Sequence, residues 1–329
     1  MVGMTFKIGL HIPSFTYPGT VEDIFPQVAA QAKAAEASGF DALTVMDHFY
    51  QLPALGKPEE PMLEAYTLLG ALASTTSRLK LATLVTGNTY RNPALLAKVV
   101  TTLDVVSGGR AFLGIGAGWY ELEHAALGFE FGTFTDRFER LAEAFEIIAP
   151  MLRGERPSFD GKWYRAKEAL NEPRLRDDLP IMLGGSGEQK TFRLAAKYAD
   201  HLNIVGTSPG ELPRKLDVLA ERCAEIGRDP ATLATSTMIC VGVSEDGERA
   251  RQSQREHFAK LGVDLDALSP EERAAQTAGH FVGTPQEVAE GIKSQILSAG
   301  VGGVTVVLFG GHEPGIVELA GATLAPLFS

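Results

Sequence analysis

Cysteine is scarce: Cys223 and Cys240 are the only two in 329 residues, and they lack the spacing of a metal site. A disulfide framework and a zinc site are therefore not expected, and a reducing compartment is. Positive charge is also in deficit. Lys and Arg number 30 against 41 Asp and Glu, a formal net charge of −11, with no basic run to follow a phosphate backbone, so nucleic acid is not an expected partner. No apolar run approaches the roughly 18 residues that a membrane span requires. The start of the chain lacks the basic and apolar regions of a signal peptide, and Phe6 to Ile12 already alternates like a strand, so a cytoplasmic protein is expected. Low-complexity stretches, heptads and dividing linkers are absent, which predicts one domain over 1–329. Gly-x-Ser-x-Gly, His-Glu-x-x-His and Cys/His clusters are missing too, so serine-hydrolase and metal chemistry have no motif behind them.

What is present is an alternation of short apolar runs with longer helical patterns. Hydrophobic residues make up 45% and charged residues 22%, enough apolar material for a large buried core. Strands are predicted at 6–12, 40–46, 79–85, 110–115, 180–184, 200–205, 234–242 and 302–309. Helices are predicted between them at 21–38, 62–76, 93–106, 134–153, 188–198, 211–227, 245–260 and 285–299, with a last one near 313–327. Gly39, Gly227 and Gly300 stand where helices should end, and Thr284-Pro285-Gln286-Glu287 reads as a cap, a first-turn proline and an acidic first turn. Eight strand-helix pairs predict an α/β fold, a closed (β/α)8 TIM barrel with loop insertions. The insertions fall at 47–61, 116–133 and 154–179, with a further polar one at about 261–281; Asp160-Gly161 between aromatics suggests a hairpin in the third.

Such barrels carry their chemistry at the C-terminal ends of the strands. Asp47-His48 follows the second strand and reads as a proton-transfer pair, or as a turn cap beside a packed ring. Gly184-Gly185-Ser186-Gly187 lies between a strand and a helix starting near Glu188. Its bare backbone can meet a phosphate at the first helical turn, or form a tight turn only. Gly114-Ile115-Gly116-Ala117-Gly118 lets a flat ring approach, or lets strand pack closely on helix. Glu123 and His124, in the long loop that follows, read as solvated loop residues, with ligand contact as the alternative.

Five segments taken together resemble the luciferase-like monooxygenase superfamily, and more closely its branch of deazaflavin-dependent oxidoreductases. They are Met46-Asp47-His48-Phe49, the run TLVTGNTYRNP from Thr83 to Pro93, Leu103 to Arg110, GIGAGWYELEHAALG from Gly114 to Gly128, and Gly184 to Glu188. The resemblance runs from about residue 6 to 310. It implies coenzyme F420 as cofactor, with FMN and a two-component monooxygenase as the alternative, and a small organic molecule as substrate. It further implies that Asp47 and His48 lie beside the deazaflavin ring, with His48 the acid or base. A non-proline cis peptide at Leu84–Val85, followed by Thr86, would back the ring, Gly116 and Ala117 would flank it, and Gly184, Gly185, Ser186 and Gly187 would hold the phosphate. Where the sugar-phosphate dehydrogenases of this branch carry a catalytic glutamate after the strand-four glycines, this sequence has Trp119. A homodimer is expected on the resemblance alone.

Overall fold

Residues 6–328 are described by the computed structural model, and in them each predicted apolar run becomes a strand. In chain order the elements are β1 (Ile8–Ile12), α1 (Ile24–Ser38), β2 (Ala42–Val45), α2 (Ala65–Thr75), β3 (Lys80–Thr83), β4 (Thr86–Gly87), α3 (Pro93–Ser107), β5 (Leu113–Gly116), α4 (Glu121–Leu127) and α5 (Phe134–Leu152). There follow β6 (Phe159–Asp160), β7 (Arg165–Ala166), β8 (Ile181–Gly184), α6 (Thr191–Tyr198), β9 (His201–Ile204), α7 (Leu212–Ala224) and β10 (Ala234–Val243). The last are α8 (Gly247–Lys260), α9 (Pro270–Gln276), β11 (His280–Gly283), α10 (Pro285–Gln295), β12 (Gly303–Leu308) and α11 (Pro314–Phe328).

The large sheet runs β3-β2-β1-β12-β10-β9-β8-β5-β4. Its ladders are parallel, as crossover helices require. β3 and β4 are two halves of one barrel strand, interrupted at Leu84–Val85, whose peptide bond is cis as the resemblance implied. β4 pairs with β5, and a bridge from Leu81 to Ala111 joins β3 to the same neighbour, so the ring closes. The (β/α)8 barrel expected from the sequence is the observed fold.

Side-chain parity explains the two layers. Residues such as Leu43, Val45, Ile115, Leu183, Ile239, Val241, Val304 and Val306 point outward and pack under the helices in one continuous core. The opposite face points into the barrel, where Phe6, Ala42, Ala82, Leu84, Phe112 and Met182 form a smaller cluster. Above them lies a polar layer. Asn203 Nδ2 donates to Ser236 Oγ at 2.7 Å and to Thr305 Oγ1 at 3.0 Å, and His201 Nε2 meets the same serine oxygen at 2.8 Å. Helix ends are locally encoded: the Asn92 side chain accepts from Ala94 and Leu95, Pro93 opens α3, and Gly108 closes it with φ 70°.

Three elements were not expected. α4 lies in the predicted loop 116–133, while α9 and β11 fall in or beside the polar insertion at 261–281. β11 adds to the upper part of β10 rather than to the barrel ring. The helix after the glycine loop begins at Thr191, not near Glu188, because residues 188–190 form a turn. The predicted hairpin is present as β6 and β7. Among the described residues no helix is long and apolar enough to cross a membrane.

Candidate active site

The segment leaving β2 sends its two polar side chains in different directions. Asp47 turns toward β4 and is buried, its carboxylate gripped by Arg91 through two contacts of 2.6 and 2.9 Å and by the Gly87 amide at 3.2 Å. Arg91 also donates to Glu64 at 2.8 Å and lies over the Tyr66 ring. Burial pushes the Asp47 carboxyl up, and the Arg91 guanidinium works against that push. Burial lowers Arg91, but Asp47 more than compensates, so the guanidinium stays charged. This ion pair ties the end of β2 to the segment after β4.

His48 turns the other way. Its Nδ1 lies 2.8 Å from Glu123 Oε2, so the pairing of Asp47 with His48 read from the sequence is replaced by a pairing of His48 with Glu123. Glu123 is fully buried, which overturns its reading as a solvated loop residue. The same carboxylate accepts from the Phe49 amide, from the Tyr50 amide at 2.8 Å and from the Tyr90 hydroxyl at 2.6 Å. Burial raises the Glu123 carboxyl, but the hydrogen bonds from His48, Tyr90 and Tyr50 outweigh it and hold its pKa below the ordinary glutamate range. Glu123 is therefore an anion at neutral pH. An anionic partner can only accept, so Nδ1 of His48 carries a proton and Nε2 is the free nitrogen of the neutral ring. The rings of Trp119 and Tyr120 stand edge-on to His48, each with its centroid 5.8 Å away.

α4 delivers Glu123 because its other residues anchor it. His124 is buried, again unlike a solvated loop residue, with Nδ1 2.7 Å from the Tyr120 carbonyl and Nε2 2.7 Å from Thr89 Oγ1. It packs among Tyr90, Phe129 and Phe131. Burial lowers its pKa, which suits a neutral packing ring. His11, deeper in the barrel, is lowered to about 4 by burial and meets Thr44 Oγ1 at 3.0 Å, so it does not titrate near neutrality.

Beside this cluster the cis-linked Val85 projects between two glycines. A Cβ at Gly184 would lie 2.7 Å from Val85 Cγ1, and one at Gly116 would lie 2.9 Å from Cγ2, so packing alone demands glycine at both positions. Leu84 and Thr86 flank the bulge, and Ala117 follows Gly116 at the same barrel end. Gly185 has φ 142°, a conformation that side chains rarely adopt. Among the described residues the amides of Ser186, Gly187 and Glu188 have no acceptor within the protein, while Lys215 Nζ approaches the Ser186 carbonyl at 3.0 Å. Glu188 is drawn to Arg214 and Lys215, whose hydrogen bonds lower its pKa to about 2. Because the helix starts only at Thr191, the free donors belong to the loop itself and not to a helical turn.

The sequence reading missed Arg91, and it held Glu123 only as the alternative to a solvated loop residue; the apolar residues of α4, Leu122 and Leu127, are exposed, so no apolar face in the sequence marked Glu123 as buried. Nothing local marks Arg91 as the partner of a residue 44 positions earlier.

The family model described as luciferase-like monooxygenase matches residues 4–302. An F420-dependent glucose-6-phosphate dehydrogenase of Nakamurella multipartita is 33% identical over 264 residues, 79% of this chain and 75% of the relative. An F420-dependent hydroxymycolic acid dehydrogenase of Mycobacterium tuberculosis is 30% identical over 282 residues, 83% and 77% of the two chains. Among solved structures, a coenzyme F420-dependent tetrahydromethanopterin reductase from Methanopyrus kandleri superposes with a TM-score of 0.78 over 98% of this chain and 99% of its own, at 20% identity. That last likeness concerns the fold.

Proposed function

The chain belongs to the luciferase-like monooxygenase family, and from that premise we propose that it is a coenzyme F420-dependent oxidoreductase acting on a small organic substrate. The observation that carries the reading is the similarity, over more than three quarters of the chain, to relatives each named for F420 dependence. When bound, the deazaflavin supplies hydride transfer at a ring carbon and reacts poorly with oxygen. The residues present fit such a group. The free amides of Ser186, Gly187 and Glu188 suit its phosphate. The bulge at Leu84, Val85 and Thr86, with Gly116, Ala117, Gly184 and Gly185, forms the wall against which its ring would lie.

His48 is the proton-handling residue in this proposal. With Nδ1 fixed on Glu123, Nε2 takes the hydroxyl proton of an alcohol as it is oxidised, or returns a proton to the carbonyl oxygen in the reverse direction. Glu123 acts through His48: it selects the tautomer and stabilises the imidazolium that forms. Asp47 and Arg91 hold the backbone from which His48 projects. The chain over 1–329 is proposed to be one domain located in the cytoplasm.

The cofactor assignment is tested by titrating the purified apoprotein with F420 and with FMN in one buffer. Tighter binding of F420 is the expected result. A clear preference for FMN, with oxygen consumed once a flavin reductase is added, would move the protein to the monooxygenase reading while leaving the barrel intact.

A homodimer completes the proposal. On α3, Leu95 and Val106 are 55% and 57% exposed and lie three turns apart on one helical face, with Lys98 and Thr102 between them, a mixed surface that a second copy would cover. Analytical ultracentrifugation should give twice the 35.2 kDa chain mass; a monomer at micromolar concentration would refute it.

A further inference from the structure

We infer that this site selects an uncharged substrate with an apolar non-reacting body, recognised by Trp119 and Met238; the inference rests on the oxidoreductase reading and concerns only what that site accepts. It starts from strand parity. β10 is hydrogen-bonded on both edges, to β12 along one side and to β9 and then β11 along the other. Ser236 points into the barrel, where it joins the polar layer with Asn203 and His201. Met238 is two residues further on and so lies on the same inner face, yet it is 36% exposed. A side chain inside a barrel strand flanked on both edges reaches solvent only through the barrel's open end. Met238 therefore lines the mouth.

The same register places Val307 there. Thr305 stands opposite Met238 and bonds to Asn203 inside the barrel, so Val307, opposite Cys240, shares the inner face and is partly exposed. Val85 on the bulge is partly exposed as well. On the His48 side stands Trp119, 58% exposed with its ring edge-on to the imidazole. The apolar groups presented at the barrel's open end thus include a thioether, two valines and an indole, the last of them beside His48.

Charge is missing where a phosphate or carboxylate on the substrate would need it. From the level of Asn203 to the open end, the inward strand positions, among them His11, Thr44, Asn203, Ser236, Thr305 and Met238, carry no Lys, Arg, Asp or Glu. Two nearby cations, Arg91 and Arg137, are already committed. Arg91 serves Asp47 and Glu64, and Arg137 bonds the carbonyls of Gly118 and Gly132 at 3.0 Å each while covering the Phe131 ring. Arg140 covers the Trp163 ring and pairs with Glu130, with its Nε buried and without a hydrogen-bond partner among the described residues. An anionic substrate group would lose its hydration without gaining a partner, whereas an apolar body gains from leaving water against Trp119 and Met238. The amides of Ser186 to Glu188 form an anion cradle, and the cofactor phosphate would take it.

The test uses the protein loaded with F420, glucose 6-phosphate as the anionic probe, and cyclohexanol and 4-phenyl-2-butanol as apolar probes. In the assay the carbinol C–H leaves as hydride to the oxidised deazaflavin and the O–H proton passes to His48 Nε2, giving the ketone and the reduced cofactor. The expected kcat/KM for 4-phenyl-2-butanol exceeds that for glucose 6-phosphate by roughly tenfold or more. Trp119→Ala and Met238→Ser should each raise its KM by roughly tenfold with little change in kcat or F420 affinity, and Trp119→Phe should restore most of the loss. Since the chain has two tryptophans, a Trp163→Phe background leaves Trp119 as the sole reporter, and its emission should respond to the alcohols but not to glucose 6-phosphate. If F420 does not bind, the oxidoreductase reading fails, and the Trp119 titration still reads the substrate preference. If F420 binds and glucose 6-phosphate is the better substrate, or neither alcohol reacts nor alters Trp119 emission, the substrate inference is overturned alone.

Discussion

Replacing His48 with alanine is expected to lower kcat by ~10²–10⁴-fold, the usual contribution of a positioned proton-transfer group, while F420 affinity changes little. The argument is geometric. Nε2 is the nitrogen left free by the Nδ1 contact to Glu123, whereas His11 is held neutral by burial, with its pKa at about 4, and both nitrogens of His124 are occupied. Glu123→Gln provides the companion measurement. The amide keeps the shape but has one oxygen, so it cannot accept from His48, Tyr90 and two backbone amides as the carboxylate does. A fall in kcat of about tenfold with KM nearly unchanged is expected, together with a displaced pH profile, because the imidazolium loses its counter-charge. The Glu123 pKa is lowered on folding, so its contribution to stability is present above the ordinary glutamate range and is lost as the pH falls through the lowered value. Glu123→Gln should accordingly flatten the acid limb of the stability profile. Wild-type turnover in His48→Ala would end the assignment of His48, and an unshifted pH profile in Glu123→Gln would reduce Glu123 to a structural anchor.

Arg91→Met should destabilise the fold by about 3–5 kcal/mol, the range for removing one partner of a buried ion pair. Asp47 shows almost no surface, and after the substitution its carboxylate would keep only the Gly87 amide at 3.2 Å. Burial already pushes that carboxyl up, so it would take up a proton rather than stay charged. The double variant Arg91→Met with Asp47→Asn should recover much of the loss, since no charge is then stranded. Denaturant midpoints of the three proteins give the comparison. A loss below about 1 kcal/mol in Arg91→Met would place the pair with weak surface salt bridges and contradict its burial.

The eight barrel strands were legible because each is a run of apolar or β-branched residues bounded by turn residues, and each sits between helical patterns long enough for a crossover. The Asp160-Gly161 hairpin was legible for the same local reason. β11 was not, because His280-Phe281-Val282-Gly283 is short and one-sided and becomes a strand only against the free upper edge of β10. α9 carried a readable start, since Ser269 and Glu272 form a capping box around Pro270. Its seven residues are too few to show an apolar stripe. The same shortness hid α4.

What the sequence by itself determined, then, is what periodicity and local chemistry control: the parallel barrel, the helix caps, the glycine runs and the strand end that carries Asp47 and His48. The tertiary structure decided the partners. Asp47 and His48 are neighbours in the chain, and sequence logic joined them. Consecutive residues leaving a strand point to opposite sides, so one reaches Arg91 and the other reaches Glu123, 75 positions away. Those choices depend on barrel closure, which brings the segments after β2, β4 and β5 to one end, and on burial, which compels each charge to find a partner there. Neither closure nor burial is a property of any short stretch of sequence.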